Sequence, residues 1–210
     1  TLNAAAAWAR KAEQEILDTI STNSTAVTST GVYGFVSELL THIIQLSVGE
    51  RSRQRMPVDA RLRLLLPAWV PGQMQIDYLR QGNVETVLRS PQELRAMFAN
   101  AGVNVTFYED ERTGAGQVVG PQAAAELRDL PEIVEWYLYH EGAHVHLTGG
   151  ELDLGLVRDS TLNATNDFRI FAEEFAEVAF RGIWSYRVRS TLCPSGDRQI
   201  PIDGDPCGAS

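Results

Sequence analysis

Five consecutive residues, His140-Glu141-Gly142-Ala143-His144, have the types and the spacing of a catalytic zinc site. In the H-E-x-x-H pattern, two histidines four residues apart on a helix bind zinc, and the glutamate activates a water molecule. Such a site needs both histidines on one face of the helix and a third protein ligand, so that one position stays open for the water. The motif therefore raises the hypothesis of a zinc-dependent peptidase.

The residues around the motif favour a strand instead of that helix. Residues 136–139 read WYLY, types that are enriched in strands, and Gly142 would cost a helix interior about 1 kcal/mol relative to alanine. From Ala143 onwards apolar and polar residues alternate, which places His144 and His146 on a common face of a strand. The periodicity therefore contradicts the helix that a zinc site requires.

A third zinc ligand is also hard to find in the sequence. No histidine follows His146, and Glu151 comes too soon for a returning helix. Glu173 and Glu174 are better explained as solvent-facing charges, and His42 lies far upstream on an apolar helix, where a hydrogen-bonded core or surface histidine is the ordinary explanation. No nucleophile elbow, phosphate loop or dinucleotide fingerprint is present either. We therefore expect no catalytic, cofactor-binding or metal-binding residue.

Composition narrows the class of protein further. The chain has 210 residues, 44% of them hydrophobic, which is enough to bury one sizeable core. A formal net charge of −9 argues against a nucleic-acid-binding surface, which would need clustered cations. No segment is predicted to span a membrane, and residues 1–20 lack the cationic start and apolar run of a secretory leader. Cys193 and Cys207 are expected to be free thiols.

Helical patterns dominate the first part of the chain. A helix is predicted from the alanine run to about residue 20, where the Ser/Thr-rich stretch 19–30 interrupts it. Apolar pairs every three to four residues predict the longest helix over about 32–55, ahead of Pro57. Two shorter helices are predicted, over 73–80 and from the capping box that starts at Ser90 to Gly102.

Strand patterns dominate the second part. Alternating residues predict strands at 61–66 and 103–110, and the chain is mostly β-like from Pro131 onwards. Residues 168–180 fit neither period cleanly, and the glycine-rich stretch 111–130 predicts a long loop. The predicted fold class is α+β, with helices early and strands late.

Three stretches resemble the major capsid proteins of tailed bacteriophages, and most closely those of phages that infect actinobacteria. They read LRLLLPAWVPGQMQIDYLRQ (62–81), LDLGLVRDSTLNATNDFRIFAEEFAEVAFRG (152–182) and YRVRSTLCPSG (186–196). In those proteins a strand that ends in LP.W leads into a short helix. The strongest element is the run of ten residues RDSTLNATND at 158–167, and the resemblance covers most of 57–196.

The resemblance implies the tailed-phage capsid fold that encapsulin shells share. It implies a peripheral domain formed by 1–56 and 152–210, with a spine helix at about 32–55, and an axial domain formed by 57–151. A strand and turn are implied at 136–148, in agreement with the periodicity. Only about thirty residues precede the predicted spine helix, so the family's N-terminal arm and the β-hairpin before that helix are expected to be absent, removed or not represented in this sequence. Lysine–asparagine cross-links are not expected, because Lys11 is the sole lysine.

The resemblance further implies a non-enzymatic major capsid protein that self-assembles into the icosahedral shell around a phage genome. Its expected partners are copies of itself in hexamers and pentamers, then scaffold, portal and decoration proteins, with at most non-specific contact to packaged DNA. Its expected location is the virion, after assembly in the cytoplasm of the host bacterium. Two alternatives stay open: a non-viral nanocompartment shell, and a zinc-dependent metallopeptidase that uses His140, Glu141 and His144.

Overall fold

The computed structural model describes residues 2–30, 34–57, 60–80, 91–108, 133–149, 153–157, 169–173 and 176–192. Within these ranges the chain forms four helices and nine strands. The helices are α1 (Leu2–Thr22), α2 (Val36–Gln54), α3 (Val70–Arg80) and α4 (Pro91–Asn100). The strands are β1 (Thr25–Thr30), β2 (Leu62–Pro67), β3 (Val103–Tyr108), β4 (Ile133–His140), β5 (His144–Thr148), β6 (Asp153–Val157), β7 (Arg169–Glu173), β8 (Ala176–Phe180) and β9 (Ser185–Thr191).

Five strands form one mixed sheet in the order β1-β9-β4-β2-β3. The outer pairs, β1 with β9 and β2 with β3, are parallel, whereas β4 is antiparallel to both of its neighbours. The other four strands form two separate two-stranded sheets, which are here together called the ribbon. In the ribbon β5 pairs with β8 and β6 pairs with β7, both antiparallel, so that two consecutive strands run out and two return.

The five-stranded sheet is covered by helices on both faces. Alternate residues of β2 point to opposite sides: Leu64 belongs to the large core cluster with α2, α3 and α4, and Leu65 belongs to a smaller cluster with α1. In β4, Trp136 and Tyr137 divide in the same way. A strand buried on both faces needs a nearly continuous apolar run, and β2 has one from Leu64 to Pro67.

The predicted helices are present, with one correction. The second helix, predicted as the longest, has 19 residues, whereas α1 has 21. The first helix continues to Thr22, inside the Ser/Thr-rich stretch, where Thr19 Oγ1 donates to the Glu15 carbonyl over 3.0 Å. The second helix ends where predicted, because Arg55 takes a left-handed conformation (φ 51°, ψ 41°) just before Pro57.

The strands at 62–67 and 103–108 are confirmed, and Gly102 has the positive φ of +79° that its predicted role at the end of a helix requires. The ambiguous stretch 168–180 contains two strands, β7 and β8. The sequence did not predict β1, although four of its six residues are β-branched. Ser90, Cys193, Cys207 and the glycine-rich stretch 111–130 lie outside the described residues.

The described strands are concentrated late in the chain, as expected for the predicted α+β class. The five-stranded sheet combines β1 and β9, from the proposed peripheral segments, with β2, β3 and β4, from the proposed axial segment. The division at 57 and 151 therefore does not separate two sheets, and it stays a prediction. Among the described residues, no helix is both long enough and apolar enough to cross a membrane.

Candidate functional site

The H-E-x-x-H residues form the end of one strand, a turn and the start of another. His140 is the last residue of β4, and His144 is the first residue of β5. The turn is closed by the Ala143 N–H, which donates to the His140 carbonyl over 2.9 Å. Gly142 has a φ of +88°, in the left-handed region that glycine adopts most readily. The helix that a zinc site of this type requires is therefore absent here, and the predicted strand is confirmed.

The first half of the motif is held by contacts within the chain. His140 Nδ1 lies 2.7 Å from the carbonyl oxygen of Glu141, its neighbour. Arg63 Nη2 donates to Glu141 Oε1 over 2.7 Å, and this hydrogen bond lowers the pKa of the carboxyl below its ordinary value. A carboxylate in an ion pair with a lowered pKa is a weak base, so Glu141 is poorly suited to activate a water molecule.

The second half of the motif is packed among rings. His144 Nε2 lies 3.0 Å from Ser185 Oγ, and the imidazole contacts the rings of Tyr139 and Phe180, with centroids 5.0 and 5.1 Å away. Its Nδ1 atom is buried and has no hydrogen-bond partner. Burial lowers the pKa of His144 below its ordinary value. The imidazole therefore packs between residues of β4, β8 and β9.

Metal binding gains no further support from the surroundings. Among the described residues, no group of three or more histidine, cysteine, aspartate or glutamate side chains is placed to hold an ion. His146 lies on β5 and is exposed, and its partner across the ladder is Val178. The side chains of Glu151, Glu173 and Glu174, considered above as third ligands, lie outside the described part of the structure.

A second polar constellation, which the sequence did not indicate, lies between α2 and the sheet. Ser29 Oγ is 3.1 Å from His42 Nδ1 and 2.8 Å from Ser190 Oγ, and Trp136 Nε1 donates to Ser190 Oγ over 2.9 Å. On the other side of the imidazole, Nε2 lies 3.7 Å from a carboxylate oxygen of Glu38. Ser29 and Ser190 are 161 residues apart, so no spacing pattern could have revealed the group.

Serine, histidine and glutamate are also the residue types of a hydrolase triad. Ser190 is fully buried, however, and its hydroxyl already accepts the indole N–H of Trp136, so a substrate cannot reach it. Burial lowers the pKa of His42, although the Glu38 carboxylate acts in the opposite direction. The group joins α2 to three strands, which agrees with the expectation that His42 is a hydrogen-bonded core histidine.

Two carboxylates anchor helix ends in a similar way. Asp77 of α3 is buried and accepts the Val36 N–H at the start of α2 over 2.8 Å. At the other end of α2, Glu50 accepts hydrogen bonds from Arg53 and from the Tyr186 hydroxyl of β9. Burial alone would raise the pKa of Glu50, but these bonds hold it below its ordinary value. Both contacts fix the position of α2 within the fold.

A groove of about 630 Å³ lies between α1 and the ribbon. Trp8 and Ile16 of α1 and Val178 of β8 supply apolar walls, and Glu15 and Glu177 are among the charged residues that line it. Val178 also packs against the smaller core cluster, which contains Leu17 and Ile20 of α1.

No protein-family model matches the chain, and no curated protein matches it. Among solved structures, the fold is similar to the asymmetric unit of the bacteriophage PhiM1 mature capsid, with 15% sequence identity and a TM-score of 0.41. The match covers 80% of this chain and 52% of that chain. The chain therefore spans about half the length of the chain that it matches.

Proposed function

We propose that the protein is a major capsid protein, a structural subunit that assembles with copies of itself into the icosahedral shell around a phage genome. The observation that carries this proposal is the sequence resemblance over 62–81, 152–182 and 186–196, with its ten-residue run at 158–167. The local structure supports it at one specific place. β2 ends at Pro67 and leads through Trp69 directly into α3, the arrangement that the resemblance implies for its LP.W element.

A structural role also agrees with the state of the residues that could do chemistry. Glu141 is in an ion pair with Arg63, His144 is packed among rings, and Ser190 is fully buried. Each of these groups is engaged in holding the fold together. A shell subunit needs no active site, and we therefore propose that the protein is not an enzyme.

A shell subunit does need several separate contact surfaces, because a closed shell joins different patches of neighbouring copies. Large apolar side chains are exposed on three different elements: Ile44 and Val48 on α2, Ile76 on α3 and Leu147 on β5. Val48 and Leu147 are 56% and 50% exposed. Such side chains are suited to the apolar centres of subunit interfaces.

Within this proposal α2 is the spine helix, 1–56 and 152–210 form the peripheral domain, and 57–151 form the axial domain. The partners are further copies in hexamers and pentamers, together with scaffold, portal and decoration proteins. Contact with packaged DNA is at most non-specific, in keeping with the net charge of −9. The protein is assembled in the host cytoplasm and resides in the virion.

The proposal is tested by expressing the complete gene product with a chelator present and examining it by electron microscopy and sedimentation. We expect closed particles of uniform size, and we expect the same particles from the His140→Ala variant. Packaged nucleic acid in particles from infected cells distinguishes a phage capsid from a nanocompartment shell. A small soluble species whose peptide hydrolysis requires zinc and disappears with His140→Ala would overturn the proposal in favour of the peptidase.

A further inference from the structure

The chain crosses between the five-stranded sheet and the ribbon at two neighbouring places. The first crossing connects β4 to β5 through residues 141–143, and the second connects β8 to β9 through residues 181–184. Each crossing contains a glycine in the left-handed region, Gly142 with φ +88° and Gly182 with φ +74°. We call these two crossings, with the side chains that pack around them, the joint.

A small set of contacts holds the joint closed. The Arg181 N–H donates to the Ala143 carbonyl over 2.9 Å, which ties the second crossing to the first. His144 links the two parts, because its ring contacts both Tyr139 of the sheet and Phe180 of the ribbon. Its Nε2 atom lies 3.0 Å from the hydroxyl of Ser185, the first residue of β9. The imidazole belongs to β5 and contacts residues at the ends of the other three strands that meet at the joint, β4, β8 and β9.

This arrangement suits a neutral imidazole and not a protonated one. Protonation puts an N–H on both ring nitrogens. Nδ1 of His144 is buried and has no hydrogen-bond partner, so in either tautomer the protonated ring would carry an unpaired N–H on a charged group away from water. Ser185 Oγ also lies 2.7 Å from Ser24 Oγ, so that hydroxyl already has a second contact.

The other titratable and charged groups at the joint give His144 no anionic partner. On β4, Tyr139 has its pKa raised by burial and stays neutral, and His140 points to the Glu141 carbonyl. The Glu141 carboxylate is in an ion pair with Arg63 of β2, and the Arg181 guanidinium lies over Gly142. From the end of α1, Ser21 accepts a hydrogen bond from Arg187 of β9. The one carboxylate named here is paired with Arg63, and burial is the cause that shifts the pKa of His144, so protonated His144 would have no anionic partner among these groups.

We propose that the joint is a pH-sensitive hinge: neutral His144 fastens the ribbon to the five-stranded sheet, and protonation of His144 opens the joint. The H-E-x-x-H residues then have a conformational role, and Gly142 and Gly182 provide backbone freedom on the two crossings. This role is independent of the proposed capsid function, since it follows from contacts within one chain.

The direction of the effect follows from the lowered pKa of His144. Because burial lowers the pKa in the folded state, the unfolded or open joint binds the proton more tightly. The joint is therefore fully fastened above the ordinary pKa of histidine, about 6.5. It weakens as the pH falls from there towards the lower pKa of the closed joint.

The test is hydrogen–deuterium exchange by mass spectrometry on the complete chain between pH 7.5 and pH 5, with a chelator present and with correction for intrinsic exchange rates. Peptides from 137–148 and 176–184 report on the joint, and peptides from 62–67 report on the sheet. We expect exchange at the joint to rise by up to about tenfold per pH unit between the two pKa values of His144, while the sheet peptides keep their protection.

Two variants sharpen the test. His144→Gln is neutral at every pH and should abolish the pH dependence at the joint, whereas His146→Gln, two residues away on the same strand and exposed, should leave it unchanged. If His144→Gln does not fold, the wild-type profile decides alone. Exchange at the joint that does not change with pH overturns the proposal, and so does a rise that is equal in the sheet or is abolished by His146→Gln.

Discussion

The five-stranded sheet and the ribbon are built from strands of similar length, but they are stabilised differently. In the sheet, β2 and β4 are buried on both faces between helices, and side chains such as Leu64 and Trp136 are fully buried. In the ribbon each strand pairs with a single partner strand, and Leu147 is 50% exposed. A two-stranded ladder is only marginally stable by itself. The sheet therefore carries the stability of the fold, while the ribbon depends on its attachment at the joint.

The largest expected difference in stability between the sheet and the ribbon is tested by a matched pair of leucine-to-alanine substitutions. Leu64→Ala should lower the free energy of unfolding by about 2–5 kcal/mol, because it leaves a cavity among fully buried side chains. Leu147→Ala should change it by no more than about 0.5 kcal/mol, because half of that side chain is exposed. Urea unfolding followed by circular dichroism measures both, and equal losses would contradict the division between sheet and ribbon.

The second prediction concerns the stabilising effect of the buried hydrogen bond between α3 and the start of α2. Asp77→Ala removes the buried carboxylate that accepts the Val36 N–H at the start of α2, and should cost about 2 kcal/mol. Asp77→Asn keeps an acceptor oxygen and should cost less. Thermal unfolding of both variants gives the comparison. If Asn and Ala were equally destabilising, the charge and not the hydrogen bond to α2 would explain the role of Asp77.

A smaller difference in stability is expected between alanine substitutions at two glycines of similar φ, Gly102 beside the sheet and Gly182 in the joint. A Cβ at Gly102 would lie 2.7 Å from the Arg51 guanidinium, in addition to the unfavourable φ of +79°. A Cβ at Gly182, in the joint, would meet open space. Gly182→Ala should therefore cost only the left-handed penalty of about 1 kcal/mol, and Gly102→Ala should cost more. Chemical denaturation tests the order, and a larger loss for Gly182→Ala would argue that the joint is tightly packed.

The smallest expected effect concerns His42, which like His144 is partly buried. Burial lowers the pKa of His42, so its neutral form stabilises the folded state above the ordinary histidine pKa, and this contribution declines as the pH falls below that value. The slope for one proton is at most about 1.4 kcal/mol per pH unit. His42→Gln should flatten the decline of global stability measured by urea titration between pH 7.5 and pH 5. An unchanged slope would show that the Ser29–His42–Ser190 group does not titrate with unfolding.

Local patterns predicted the sheet side of the molecule well. Apolar pairs at helical spacing located α2, alternation located β3, and proline and glycine positions predicted the helix ends at Gln54 and Asn100 to within two residues. The strand interpretation of 143–148 was correct because the alternation there is strict. These signals depend only on residues that are close together in the sequence, so they can be recognised without knowledge of the fold.

Contacts between distant segments could not be predicted in the same way. β1 is polar and lies at the sheet edge, so nothing in its own pattern identifies β9 as its partner. The hydrogen bonds of His42 and His144 join residues that are 148 and 41 positions apart. The lengths of the two long helices were ranked wrongly, because α1 extends from Leu2 to Thr22 while α2 begins only at Val36. The proposed role of the H-E-x-x-H residues at the joint could be inferred only from the structure, because it depends on contacts among β4, β5, β8 and β9.

The most direct test of the account is electron cryomicroscopy of the particles formed by the complete gene product, at a resolution that traces residues 133–148. The account predicts a closed icosahedral shell in which 133–140 and 144–148 are strands joined by a turn at Gly142. Failure to assemble, together with a helix through 137–147 and a metal ion between His140 and His144, would contradict it.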